Sequence, residues 1–134
     1  VRVVGLDLGS KRIGVAVSDA TGTLASPYEV VERSPQSYAR VRAIVEETEA
    51  ERVVVGLPLS LSGDEGPAAR AAREEAAALS DVVAVPVELY DERLTTVSAQ
   101  RSMMDLQMKA DARKRVVDKV AAAVMLQSWL ESRR

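Results

Sequence analysis

Acidic residues stand at three places where an acid is hardest to explain. Asp7 lies in the run Val3-Val4-Gly5-Leu6-Asp7-Leu8, apolar on both faces of a strand, where an unpaired carboxylate would be costly to bury. Asp91 and Glu92 close the last apolar run before Arg93-Leu94-Thr95-Thr96, and open α/β sheets place their ligands beyond such strand ends. Asp118 shares a helical stripe with Ala121, Ala122, Met125 and Trp129, while Gln127 falls on the opposite side. Each acid alone has an ordinary explanation. Asp7 could accept turn N–H groups or pair with Lys11 or Arg12, Asp91 and Glu92 could be turn chemistry, and Asp118 could favour a helix start or pair with Lys114. Together they could converge at one end of a sheet. Two Mg²⁺ or Mn²⁺ ions about 4 Å apart would then activate a water and stabilise the leaving oxygen of a phosphodiester. Asp91 could replace Glu92 as the second ligand.

Composition leaves any acid, base and metal-binding work mainly to carboxylates, with Lys, Tyr or a metal-bound water as the remaining options. The chain has no cysteine and no histidine, so thiolate nucleophiles, disulfides, imidazole ligands and Ser-His pairs are excluded. Carboxylate oxygens suit hard Mg²⁺ or Mn²⁺ better than Zn²⁺. The net charge of -2 argues against a nucleic-acid partner until its distribution is read. Residues 29–92 carry 14 acidic and 6 basic side chains, whereas residues 93–119 carry 7 basic and 3 acidic. Such a cluster by itself is usually a solvated face. Beside a carboxylate site it points to phosphates, with Lys114 and Arg115 flanking the Asp118 stripe and Arg93, Lys11 and Arg12 as further contacts. With one tryptophan, three tyrosines and no phenylalanine, base stacking can add little, so recognition should be of backbone and shape.

The elements that must position these residues follow from periodicity and punctuation. Val1–Leu8, Ile13–Ser18 and Thr23–Val31 read as an antiparallel meander with turns at 9–12 and 19–22. Gly14 and Ala16 share one face of the second strand, leaving room beside Asp7 for a metal or phosphate. Ser34-Pro35 suggests an N-cap and first turn for a helix over Pro35–Glu49. Residues 52–57 form a β-branched run typical of a buried parallel strand. A polar loop, Pro58–Gly66, leads to an alanine-rich helix from Pro67 to Leu79. Val82–Tyr90 reads as the last strand, at an edge because of Pro86. Thr95 or Thr96 could cap a helix over Val97–Leu106, and Asp111 one over Ala112–Glu131. The order βββαβαβαα, without repeat or linker, predicts a single α/β domain over residues 1–134, with a mixed five-stranded sheet flanked by helices. No spanning helix or signal peptide is indicated, which predicts a soluble, cytoplasmic protein with no membrane partner.

The motifs in combination resemble the YqgF/RuvX family. The resemblance rests on Gly5-Leu6-Asp7-Leu8-Gly9-Ser10-Lys11-Arg12-Ile13-Gly14-Val15-Ala16-Val17-Ser18-Asp19, Val55-Gly56-Leu57-Pro58, Asp91-Glu92-Arg93-Leu94-Thr95-Thr96, and Asp118 with Ala121-Ala122 and Leu126-Gln127. It covers essentially the whole chain. It implies an RNase H-like fold, dependence on Mg²⁺ or Mn²⁺, and a catalytic triad of Asp7, Glu92 and Asp118. It also implies nuclease action on precursor 16S rRNA in ribosome maturation, with Holliday junction resolution on branched DNA as the related alternative. The resolvase would need a dimer presenting two sites, and the expected state is a monomer or weak homodimer. Lys11 beside Arg12 and the acidic middle segment depart from the family pattern. A non-catalytic RNA-binding assembly factor and an actin-like ATP-binding module are the competing classes, and the latter needs a second lobe.

Overall fold

In a computed structural model of the chain, residues 1–59, 62–94 and 110–133 are described, except for the side chains of residues 94 and 110–116. Strands β1 (Val3–Leu8), β2 (Arg12–Ser18) and β3 (Ala25–Glu32) are followed by α1 (Ser37–Thr48), β4 (Arg52–Leu57), α2 (Pro67–Val82) and β5 (Val87–Asp91). A 3-10 turn over Glu92–Leu94 closes β5, and helix α3 spans Ala110–Ser132. The helix expected over Val97–Leu106, with its cap at Thr95 or Thr96, lies outside the described residues. The sheet order is β3-β2-β1-β4-β5. The first three strands pair antiparallel, and β4 pairs parallel with both β1 and β5. The expected mixed sheet is therefore present, and β5 is an edge strand as Pro86 suggests. Among the described residues, no helix is long and apolar enough to cross a membrane.

Several element ends differ from expectation for local reasons. β3 begins at Ala25 rather than Thr23, because Asp19 Oδ1 accepts from the N–H groups of Thr23 (2.8 Å) and Leu24 (3.2 Å) and holds both in the turn. Ser34 does not cap α1: its hydroxyl accepts from Gln36 N at 3.1 Å and its carbonyl from Ser37 N, so Ser34-Pro35 forms a separate turn. α2 runs on to Val82, past Leu79, whose carbonyl accepts from Val83 N at 2.9 Å. β5 consequently starts only after Pro86. α3 already includes Ala110, so Asp111 lies within the helix instead of capping it.

Alternation along the strands builds a core on each face of the sheet. Leu6, Ile13, Val15, Val53 and Val55 pack with Val41 and Ile44 of α1 and Leu79 of α2. Val3, Ala16 and Val54 pack on the opposite face with Ala121, Ala122, Met125, Leu126 and Trp129 of α3. Gln127 does not face away as the helical wheel predicts. Its Oε1 accepts from Ala25 N at 2.8 Å and its Nε2 donates to Thr23 O at 3.0 Å, which ties α3 to the start of β3. A long amide can reach round the helix to satisfy the strand's unpaired backbone groups.

Glu88 anchors the far end of α3. Its carboxylate accepts from Trp129 Nε1 at 2.8 Å and from Arg52 at 2.8 Å, and it pairs with Arg133, whose guanidinium lies 4.6 Å from the centre of the Trp129 ring. Burial pushes the Glu88 carboxyl up, but Trp129, Arg133 and Arg52 together hold it below its ordinary value of 4.5. Glu88→Gln should cost about 1.5 kcal/mol, the lower end for hydrogen bonds to a charged group, since the site is partly exposed. Because the folded pKa is depressed, this contribution is complete above pH 4.5 and is lost as pH falls through the folded value. Urea unfolding of both proteins at pH 7 and at descending acid pH should show the difference shrinking below pH 4.5. A constant difference would remove charge as its source.

Candidate active site

Asp7 sits in a row of residues crossing the sheet near the carboxyl end of β1. It pairs with Gly14 on β2. The parallel register Leu6↔Val55 places Gly56 of β4 next on its other side, and Gly56 pairs with Tyr90 on β5. Residues of this parity face α3, as Val3, Ala16, Val54 and Tyr90 do. Asp7 is thus a carboxylate, 7% exposed, with a glycine on each side.

Those glycines receive the other two acids. A Cβ added at Gly14 would overlap the carbonyl group of Asp118 and lie 3.2 Å from Lys119 N. The α3 backbone therefore rests directly on β2 at Asp118. The room expected beside Gly14 for a metal or phosphate is filled by this helix. Close approach continues at Gly5, where a Cβ would come within 2.9 Å of Leu126 Cβ, and the small buried Ala121 and Ala122 permit it. At Gly56 a Cβ would lie 2.5 Å from Glu92 Oε1 and 3.0 Å from Glu92 Cδ. Glu92 thus lays its carboxylate over the strand that neighbours Asp7.

The three acids are drawn to one end and one face of the sheet, Asp118 by its main chain and Glu92 by its side chain. Among the described residues, however, no three acidic side chains are gathered closely enough to hold a metal ion between them. Each of Asp7, Glu92 and Asp118 has a polar or electrostatic partner in this arrangement. The donor set nonetheless suits a hard divalent cation, being carboxylate oxygens over a floor kept low by Gly56.

Asp91 occupies the other face. It is in register with Leu57, which packs on Ala69 and Ala72 of α2. Its Oδ1 accepts from Arg93 N at 2.9 Å and Nε at 3.1 Å, and its Oδ2 from Nε at 3.0 Å and Nη2 at 2.7 Å. These bonds hold the Asp91 carboxyl below the usual aspartate value. Of the two adjacent acids, only Glu92 reaches the Asp7 side.

The basic residues are dispersed. Lys11 is exposed in the β1–β2 turn, and Arg12 pairs across the strands with Glu32 at 3.3 Å. Lys114 and Arg115 lie on α3, with their side chains outside the described residues. Arg33, not singled out by the sequence, donates to Gly9 O at 2.8 Å and pairs with Glu75 of α2. It thereby braces the turn that follows Asp7. Gly56 was also missed as a functional position. Its signal is an isolated glycine ending a β-branched strand, which marks close approach by another group.

A family model described as "RuvX: Holliday junction resolvase" matches residues 1–132. A protein from Mycobacterium sp. (strain KMS) named "Putative pre-16S rRNA nuclease" is 50% identical over 99% of this chain and 81% of its own length. One of the same name from Geobacillus thermodenitrificans (strain NG80-2) is 43% identical over 100% of both chains. Among solved structures, T. thermophilus RuvC in complex with a Holliday junction substrate aligns with a TM-score of 0.60 at 20% identity, covering 99% of this chain and 96% of that one. The fowlpox virus Holliday junction resolvase aligns with a TM-score of 0.55 at 14% identity, covering 98% and 99%. At these identities the structural likeness speaks for the fold, an RNase H-like sheet, alone.

Proposed function

Since the chain belongs to the RuvX family, we propose that it is a divalent-metal-dependent nuclease that hydrolyses a phosphodiester bond of precursor 16S rRNA, with Asp7, Glu92 and Asp118 at its active centre. The observation that carries the site is the row Gly14–Asp7–Gly56, with Asp118 seated on one glycine and Glu92 on the other. The substrate follows from the shared name of the relatives that match over nearly the whole chain.

Asp7, Glu92 and Asp118 would hold Mg²⁺ or Mn²⁺, which when bound supplies charge neutralisation at the phosphate and a water of lowered pKa. The protein's own part is positioning. Asp7 is fixed in the strand row, and Asp118 by the contact of α3 with Gly14. Glu92 lies on Gly56, in a 3-10 turn directly after β5, with its carboxylate on the Asp7 face of the sheet. With no imidazole anywhere in the chain, acid and base work falls mainly to carboxylates, with Lys or Tyr as the other options. Lys11, Arg12, Arg93, Lys114 and Arg115 would contact the substrate backbone.

The purified protein with Mg²⁺ or Mn²⁺ should cut an RNA carrying the precursor 5′ extension of 16S rRNA. Chelation with EDTA should stop the reaction, and either ion should restore it. The same preparation on a four-way DNA junction and a linear duplex tests the alternative. Paired symmetric cuts on the junction with inert RNA would assign the resolvase reaction instead. Metal-independent RNA binding without cleavage of any substrate would leave an assembly factor.

A further inference from the structure

Asp91 adjoins Glu92 yet points to the opposite face of the sheet, and nothing in the reaction above employs it. We propose that Asp91 is a positioning residue that clamps Arg93 against Gly63, so that the guanidinium grips a phosphate flanking the one that is cut. This rests on the nuclease reading and assigns the substrate strand a path from the α3 side of the sheet end to the α2 side.

Two features of the site argue for a built clamp. Asp91 engages Arg93 through one main-chain and three side-chain contacts, all between 2.7 and 3.1 Å. Such geometry fixes the direction of a guanidinium that would otherwise sample many rotamers. The guanidinium also lies beside Gly63, where an added Cβ would be 3.3 Å from Nη1. Gly63 has φ +89, so any side chain there would be strained as well as crowded against Arg93.

The Asp91–Arg93 pair also ties the turn after β5, through the bond from Arg93 N. The Arg93 side chain is 35% exposed and that of Asp91 21%, so the fixed guanidinium remains within reach of solvent and of a ligand. The clamp is well explained as preparation for a ligand, because a prefixed guanidinium loses less freedom when it meets a phosphate. Position agrees. β1, β4 and β5 run parallel, so their carboxyl ends share one end of the sheet. There Asp7 and Glu92 lie toward α3, while Asp91 and the loop carrying Gly63 belong to the α2 side. A nucleic-acid strand crossing this end would offer one phosphate to each.

The test measures binding of a 5′-labelled RNA bearing the precursor 16S extension, in the Asp7→Asn background so that cleavage does not intervene. Arg93→Gln should weaken binding about tenfold and lower the slope of log Kd against log salt by about one counterion. Asp91→Asn should weaken binding about threefold alone and add nothing in the Arg93→Gln background, as expected for a residue acting through another. Arg93→Lys should keep the salt slope but not the affinity, having the charge without the planar group that Asp91 holds in place. In the cleaving protein, Arg93→Gln should raise KM with kcat within about twofold. The idea is overturned if Arg93→Gln leaves affinity and salt slope unchanged, or if Asp91→Asn weakens binding as much with Arg93→Gln as without it. Thermal melts exclude misfolding, and Arg93→Lys supplies a milder variant should Arg93→Gln fail to fold. Were the parent protein to cut nothing, the nuclease reading would fall while the binding series still decided the role of Asp91 and Arg93.

Discussion

Asp7→Asn should lower RNA cleavage at least about a thousandfold, a barrier increase of about 4 kcal/mol, while leaving the fold intact. Asp7 stands in the middle of the sheet, between Gly14 and Gly56, and cannot be replaced by a neighbour because both flanking positions lack side chains. Asparagine matches its shape, so no cavity opens, but removes the negative charge that would attract a divalent cation. Folding should be little affected, since a buried charge that is costly to desolvate is exchanged for a neutral amide. Single-turnover cleavage at saturating RNA, with a thermal melt of the same preparation, reads both halves. The melting temperature should fall by no more than about 3 °C, and raising the Mn²⁺ concentration should not restore the rate. Activity within tenfold of the parent protein would remove Asp7 from the centre of the site.

The outline of the fold was legible because burial leaves a simple trace. The runs 3–8, 13–18 and 52–57 are apolar on both faces and occupy the centre of a sheet covered on each side, and Pro86 marked the edge strand. What stayed hidden depended on side chains turning back on the backbone. Asp19 delays β3 by capturing two N–H groups, Ser34 turns the chain before α1, and Gln127 reaches round its helix to β3. These bonds compete locally with regular structure, and hydrophobic period does not register them. The acids could be picked out singly, since each interrupted an apolar pattern. Their grouping was named from the motifs together, but the contacts that bring it about, of α3 on Gly14 and of Glu92 on Gly56, could not be read, because they depend on which strands are neighbours and on what lies above each glycine. The resemblance favoured Glu92, but the residues alone left the choice between Asp91 and Glu92 open. Adjacent residues alternate faces, and only the pairing of Leu57 with Asp91 says which face is which.

Gly14→Ala and Gly56→Ala should fail in opposite ways, which makes them a sharp test of how the site is assembled. At Gly14 the new methyl would overlap the main-chain carbonyl of Asp118, and a helix backbone cannot rotate aside as a side chain can. α3 would have to lift from β2, loosening the contacts of Ala121, Ala122 and Met125 beneath it. Overpacking of this kind costs about 3 kcal/mol, or roughly 10 °C in melting temperature for a domain of this size. At Gly56 the methyl would instead lie 2.5 Å from Glu92 Oε1, the far end of a flexible chain that can swing away. Stability should then fall by about 1 kcal/mol, less than at Gly14, but Glu92 would lose its seat beside Asp7. Misplacing a catalytic group by about 1 Å can cost a hundredfold in rate, and that is the expected loss in cleavage. Removing charge at the same place distinguishes displacement from simple crowding of the substrate. Glu92→Gln alone should be nearly inactive, and Gly56→Ala added to it should reduce the residual rate little further, because the group it displaces is already disabled. A Gly56→Ala protein that cuts RNA at the parent rate, or one that unfolds as readily as Gly14→Ala, would show that Glu92 does not depend on this glycine for its position.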